Sequence, residues 1–232
     1  MSASSGFASG RLTPDAVRTM FDRIAPVYDV MNRVTTMGLD GGWRRLAAKS
    51  VVRPGDRVLD ACCGTGDLAL AAERAGGTVT GLDFSERMLE GARQKSGSVA
   101  WVRGDVTALP FADASFDAAT VGFGIRNVPE LEAGLAELAR VLRPGGLLAC
   151  LDLTRPRGLL APFYRAWFDG LIPLVGKAVP GGEAYTYLPA SVRRFPDPID
   201  LAGAMERAGF ADIRWRLLAG GIVALHTARR PE

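Results

Sequence analysis

The sequence predicts an α/β protein: a doubly wound, mostly parallel seven-stranded sheet with an antiparallel last strand, preceded by a helical segment. Three observations carry this. From Val51 onward, apolar strand-like runs alternate with amphipathic runs. A glycine turn, Gly64-Thr65-Gly66, joins the first strand to the first helix of that series. The C-terminal "DIRWRLLAGGIVALHTAR" reads as two strands about a short Gly220-Gly221 turn, which reverses the chain direction.

Taken in order, residues 1–12 begin "MSASSGFASG", small and polar, and are expected to form a disordered tail. Residues 13–50 form a helical cap. Thr13-Pro14 is a helix start signal, and Met20, Phe21, Ile24, Val27 and Met31 recur at helical spacing. Pro26 must interrupt that helix. Packing explains those apolar residues; it explains Tyr28, Asp29 and Asn32 less easily. Residues 51–232 are expected to form the main unit. Its strands are "DRVLDAC", "TVTGLD", "VAWVRGD", "FDAATVGFG" and "LLACLDL", then the hairpin. Between them run the helices "DLALAAERAG", "SERMLEGARQK" capped by Ser85, and "ELEAGLAELARVL", ended by Arg143-Pro144-Gly145-Gly146. Residues 156–196, aromatic, apolar and broken by prolines, read as an insertion on the substrate side, and "DPIDLAGAMERAGF" as a helix ended by Gly209.

Composition excludes several classes. With 232 residues and 48% apolar content the chain can bury a full core. A net charge of +3 is too small to argue for a nucleic-acid partner. Three cysteines, two of them adjacent, make no disulfide framework and no metal-ligand spacing, which fits a reducing cytoplasm. No apolar run reaches membrane-spanning length, and the N-terminus has no charged-then-apolar signal pattern.

The chemistry concentrates at strand ends. A glycine turn opening a helix lets a ligand approach backbone N–H groups, although the same turn can simply close a tight connection. Asp83 ends the second strand, 23 residues after Asp60. A carboxylate there accepts from ribose hydroxyls, in an NAD site as well as in one for S-adenosylmethionine (SAM). Asp60, upstream of the glycines, breaks the tie. A carboxylate beside the ligand favours the sulfonium and ammonium of SAM over a pyrophosphate. Asp105 follows the third strand and precedes "LPF", a pattern that holds an adenine amino group beside apolar neighbours. The ordered set Asp60, Gly64, Gly66, Asp83, Asp105, "LPF" and "FD" resembles class I SAM-dependent methyltransferases, whose sheet is Rossmann-like.

"MFDRIAPVYDVMNRVTTMGLDGGWRR", "FGIRNVPE", "RVLRPGG", "AYTYLPASVRRFP" and "GGIVALH" together resemble the ubiquinone/menaquinone biosynthesis C-methyltransferase family, from about Met20 to about His226. The resemblance implies methylation of a ring carbon of a polyprenyl quinol, demethylmenaquinol or a benzoquinol. It also implies SAM contacts at Thr65, Asp83, Asp105 and Val106. Asp60, Gly64, Gly66, Phe84, Met88 and Gly122 complete the candidate cofactor set. A homodimer, a cytoplasmic location and a peripheral membrane contact are expected with it. Two departures stand out: Cys63 where the family often has glycine, and Gly122 where some members have a serine near the cofactor.

Carbon methylation is easier when the neighbouring hydroxyl is ionised. The site must therefore take up a phenolic proton or hold a phenolate. Arg126 stays protonated, so it serves as the phenolate's partner or holds a relaying water. The resemblance implies a polar network of Arg126 with Tyr28 and Asp67, Asp67 being the candidate proton acceptor and Asn127 a further candidate catalytic residue. Arg126 and Asn127 can equally tie the strand end to the N-terminal helices. His226, in an apolar strand, is the second candidate base. Phe163, Trp167, Phe168 and Leu171 are candidates to line a lipid groove, and "MFDRIAPVYDVMNRV" is expected to act as a lid over the SAM pocket. Three other readings stay open. A methyltransferase for a soluble aromatic would have a smaller groove, an NAD oxidoreductase would be stabilised by NAD, and a SAM-binding accessory protein would show no turnover.

Overall fold

The computed structural model describes residues 13–156, 162, 170 and 183–232. The expected tail and most of the 156–196 insertion, with Phe163, Trp167, Phe168 and Leu171, lie outside the described residues.

Seven strands form one sheet in the order β3-β2-β1-β4-β5-β7-β6. They are β1 (Arg57–Ala61), β2 (Thr78–Asp83), β3 (Ala100–Arg103), β4 (Phe116–Gly122), β5 (Leu142–Leu153), β6 (Ala211–Leu218) and β7 (Val223–Arg229). β1 to β5 pair in parallel, and β7 runs antiparallel between β5 and β6. The chain builds outward from β1 to β3, then crosses back to β4. The strand order therefore reverses between β1 and β4, and the crevice where ligands bind in such sheets opens at their C-terminal ends.

Both sheet faces are covered, as parallel strands require. Along β1, Val58 belongs to one buried cluster while Leu59 and Ala61 belong to the other, because alternate side chains leave a strand on opposite faces. The Val58 side packs on α3 (Asp40–Val51) and α4 (Asp67–Arg74). The Leu59 side packs on α6 (Leu131–Val141) and α8 (Pro198–Arg207). Burying a side chain such as Leu59, 0% exposed, contributes about 1.5–3 kcal/mol. Beside β2 runs α5 (Glu86–Lys95), capped by Ser85, whose Oγ accepts from the Met88 N–H at 3.1 Å.

Over this sheet lies the cap. Helix α1 (Pro14–Ile24) starts where Thr13 Oγ1 accepts from the Ala16 N–H at 3.3 Å. A short 3₁₀ turn, Ala25–Val27, interrupts at Pro26, and α2 (Tyr28–Thr35) follows. Met20 and Ile24 of α1 are buried with Met88 and with Tyr187 of α7 (Glu183–Arg194). One boundary differs from expectation. Arg143-Pro144-Gly145-Gly146 does not form a loop after α6 but lies within β5. The C-terminus holds it there: the Gly145 N–H donates to the Arg230 carbonyl at 2.9 Å, and the Arg230 N–H to the Gly146 carbonyl at 2.8 Å.

Candidate active site

The glycine turn is shaped for close approach. Gly64 and Gly66 have φ of 55° and 85°, values that suit glycine. Two non-glycine residues share that region, Cys62 (φ 53°) at the end of β1 and Phe123 (φ 59°) at the end of β4. They meet across Gly124, where an added Cβ would lie 2.4 Å from the Cys62 Cβ. Such backbone strain costs on the order of 1–3 kcal/mol per residue and clusters at functional sites. Here it flanks the crevice at the order reversal.

A cavity of about 190 Å³ fills that crevice. Its walls include Gly64, Thr65, Asp83, Phe84, Met88, Asp105, Val106 and Gly122, eight of the ten candidate cofactor residues. Tyr28, Asp67 and Asn127 line it too. Asp83 Oδ2 accepts from the Gly64 N–H at 2.8 Å and Oδ1 from the Ser85 N–H at 2.9 Å. A carboxylate has about four acceptor positions, so two remain for vicinal hydroxyls. Burial raises its pKa to about 6, against the pull of those backbone donors. Asp105 Oδ1 accepts from the N–H and the hydroxyl of Thr107, both at 2.8 Å, which leaves Oδ2 without an intramolecular bond among the described residues.

Asp60 and Gly66 do not line the cavity. Asp60 is 0% exposed behind the turn; Oδ1 accepts from Thr120 Oγ1 at 2.7 Å, and Oδ2 is buried with no partner among the described residues. Burial raises its pKa to about 7, although Thr120 and Arg44 pull it down. An orphaned, buried acceptor of this kind, just under the glycine turn, fits a cationic ligand group. Gly66 serves packing: a Cβ there would sit 2.5 Å from the Trp101 ring.

Arg126 lies one layer behind the wall, on the short 3₁₀ turn Ile125–Asn127, and is 8% exposed. Its Nη1 donates to Asp152 Oδ1 at 2.8 Å and also to the Phe123 carbonyl. Burial, the largest single effect, works against the charge, but Asp152 and the nearby Tyr28 and Tyr187 phenols together outweigh it, so the guanidinium pKa is raised. Its Nε and the neighbouring Asn127 Oδ1 are buried without partners among the described residues. The structure thus brings Tyr28 into the field of Arg126 but gives Asp67 other company: Asp67 Oδ1 pairs with Lys95 Nζ at 2.7 Å. The same ammonium pairs with Asp29 at 2.6 Å, and Asp29 accepts from Thr65 Oγ1 at 2.6 Å. With Ser85 Oγ donating to Asp22 at 2.5 Å, these bonds fasten the cap to the glycine turn and to α5.

His226 is away from the cavity. It sits on β7, 1% exposed, and stacks on Trp215. The Pro198 carbonyl can only accept, so the Nε2 at 2.9 Å carries the hydrogen. Burial lowers its pKa. Cys62 and Cys63 line the cavity, but burial and the carboxylates Asp83 and Asp60 push both thiols up, which argues against a thiolate nucleophile. Gly122 leaves room for Leu68, whose Cδ2 lies 2.8 Å from where a Cβ would be.

Sequence reading missed two residues of the site, Asp152 behind Arg126 and Arg44 in the wall. Asp152 ends a buried strand without any local motif. Arg44 lines the cavity, 6% exposed, paired with Asp40 at 3.4 Å and stacked 5.0 Å from the Phe123 ring. Their i,i+4 spacing inside "DGGWRR" was the available signal.

The chain as a whole is similar to known proteins. A family model described as the ubiE/COQ5 methyltransferase family matches residues 10–230. The demethylmenaquinone methyltransferase of Desulfitobacterium hafniense (strain Y51) is 43% identical over 238 residues, covering 97% of this chain and 93% of that one. That of Mycobacterium marinum is 44% identical over 223 residues (94% and 95%), and that of Deinococcus radiodurans 46% over 219 residues (90% of each). Among solved structures, a SAM-dependent methyltransferase of Thermotoga maritima, described as a possible histamine N-methyltransferase, superposes with a TM-score of 0.67 at 21% identity, over 91% of this chain and 98% of that one. The [4+2]-cyclase SpnF gives 0.69 at 20% identity (94% and 96%). These two likenesses show the fold alone.

Proposed function

The chain belongs to the ubiE/COQ5 methyltransferase family, and from that premise we propose that it transfers the methyl group of SAM to a ring carbon of a polyprenyl quinol, demethylmenaquinol in the first place. The observation that supports this most is the crevice between β1 and β4. Acceptors suited to a nucleoside line it, and a buried cation, Arg126, stands behind the wall beside Tyr28.

SAM, when bound, supplies a methyl group made electrophilic by its sulfonium. Asp105 would hold the adenine amino group through Oδ2, and Asp83 the ribose hydroxyls. Asp60 would offset the positive charge through its field and through Oδ2, which has no partner among the described residues. On the substrate, the neighbouring hydroxyl gives up its proton, the ring carbon gains the methyl as the thioether leaves, and the proton that carbon then loses restores the hydroxyl as the ring rearomatises, so one proton is released per methyl transferred. Arg126 stabilises the phenolate through its field in a site shielded from water. Tyr28 and Asn127 orient the ring oxygens. Asp67 accepts the phenolic proton; it lines the cavity and its Oδ2 carries no intramolecular bond among the described residues.

The cap acts as a lid, opened by releasing Asp29 and Asp22 from Thr65, Lys95 and Ser85. The family resemblance also supports, as part of this proposal, a homodimer in the cytoplasm and a benzoquinol as the second ring. Incubation with labelled SAM and reduced demethylmenaquinone, with a demethylated benzoquinol in parallel, tests the reading. Label in the naphthoquinol is the expected result. If SAM binds and neither ring is labelled, the quinol assignment fails.

A further inference from the structure

The cap has two faces, and the mechanism uses one. On α2, Met31 is buried and Tyr28 lines the cavity, while Val30 and Val34 are 63% and 53% exposed. Met37 and Leu39, in the turn that ends α2, are 72% and 49% exposed. Val30 and Val34 stand at i and i+4, so they share one side of the helix, with Arg33 beside them, and Met37 follows in the turn just beyond. Met37 has a φ of 52°, an unfavourable region for its side chain. The Gly38 N–H, bonded to the Arg33 carbonyl at 2.8 Å, closes this turn, which holds an exposed methionine in a strained position.

The charges on this stretch are sorted as well. Between Tyr28 and Ser50 the only acids are Asp29 and Asp40. Asp29 is taken by Thr65 and Lys95; Asp40, 6% exposed, is taken by Arg44 and by Thr36 at 3.1 Å. Arg33, Arg45 and Lys49 are exposed, with no ion pair among the described residues. The outer surface from Val30 to Lys49 therefore offers apolar side chains and positive charge, with both acids drawn inward. No helix among the described residues is long and apolar enough to cross a membrane.

We propose that this outer face, Val30, Val34, Met37 and Leu39 with Arg33, docks on an anionic lipid bilayer, the apolar side chains entering the headgroup boundary and the cations meeting lipid phosphates. The choice of a lipid occupant rests on the quinol reading. The same short helix then faces lipid on one side and the methyl-transfer cavity on the other, so a membrane-held quinol ring travels only past α2 to reach Arg126.

Flotation of the full chain with vesicles tests this without any turnover. Wild type is expected to float with vesicles of equal phosphatidylglycerol and phosphatidylcholine, less with phosphatidylcholine alone, and less again at high salt. Val34→Glu/Met37→Glu is expected to lower the bound fraction roughly tenfold, and Arg33→Glu to lower it and flatten the salt response. A milder pair, Val34→Ser/Met37→Ser, guards against misfolding, and all variants should keep SAM affinity and methylate a water-soluble short-chain quinol normally. Wild type that stays with the free protein, or glutamate variants that float as it does, would overturn the proposal. So would unchanged flotation with conversion of a dimer to a monomer, which would make the face a contact between copies. Loss of quinol methylation with vesicle binding intact would count against the substrate reading alone.

Discussion

Arg126 and Asp152 form a buried pair with side chains 7% and 2% exposed and 2.8 Å between Nη1 and Oδ1. At an effective dielectric constant of about 20, two charges at that distance attract by roughly 6 kcal/mol, most of which offsets the cost of taking both out of water. Removing one partner is another matter. Asp152→Ala leaves a guanidinium uncompensated and also strands the Leu153 N–H (2.7 Å) and the Arg126 N–H (3.3 Å). The expected cost is about 3–5 kcal/mol, or roughly 6–20 °C in melting temperature for a chain of this size. Arg126→Met should cost less, because Asp152 keeps those two backbone donors. The double variant should cost well under the sum. Urea denaturation of all four proteins closes the cycle. Additivity within about 0.5 kcal/mol, or a loss below about 1 kcal/mol for Asp152→Ala, would refute the coupling.

Other expectations concern Asp60, Gly122 and His226. The folded pKa of Asp60, about 7, lies above the ordinary 3.8, so between those values the folded chain holds a proton that the unfolded chain has lost. Stability of the ligand-free protein should therefore fall as pH rises through that window and level off above it, with Asp83 adding to the slope up to about 6. Melting curves from pH 5 to 8 should show this, and Asp60→Asn should remove the fall between pH 6 and 7. Gly122→Ser should lower stability by about 1–3 kcal/mol by pressing on Leu68; an unchanged melting temperature with tighter SAM binding would contradict it. His226→Asn should keep methyl transfer within a few-fold, since the imidazole lies outside the cavity wall; a hundredfold loss with SAM affinity intact would restore it as a base.

The order of strands and helices was legible because each carries its own period: "TVTGLD" alternates or runs apolar, and "SERMLEGARQK" repeats every three to four residues behind a serine cap. Thr13, Pro26 and Ser85 act through local backbone chemistry and could be read locally. The strand-end carboxylates Asp83 and Asp105 were legible for a related reason, since the ends of parallel strands converge on one edge. What escaped depends on distance in space. Asp152 meets Arg126 only because β5 lies beside β4, 26 residues further along the chain. Lys95 reaches Asp29 and Asp67 from the far end of α5. Asp60 follows the expected strand but is fully buried and does not line the cavity, whereas Cys62 and Cys63 do. The strand assignment of Arg143–Gly146 was out of reach for the same reason, its partner being Arg230 at the other end of the unit.

The central claim is that the Arg126 guanidinium holds the quinol in its phenolate form during transfer. Single-turnover methyl transfer to demethylmenaquinol, followed from pH 6 to 10 in wild type and Arg126→Met with SAM binding measured on the same samples, tests it most directly. The account predicts intact SAM affinity and a loss on the order of a hundredfold or more near pH 7. That loss should narrow as pH approaches about 10, where a phenol ionises unaided. Wild-type turnover in the variant, or a loss of equal size at every pH, would contradict it.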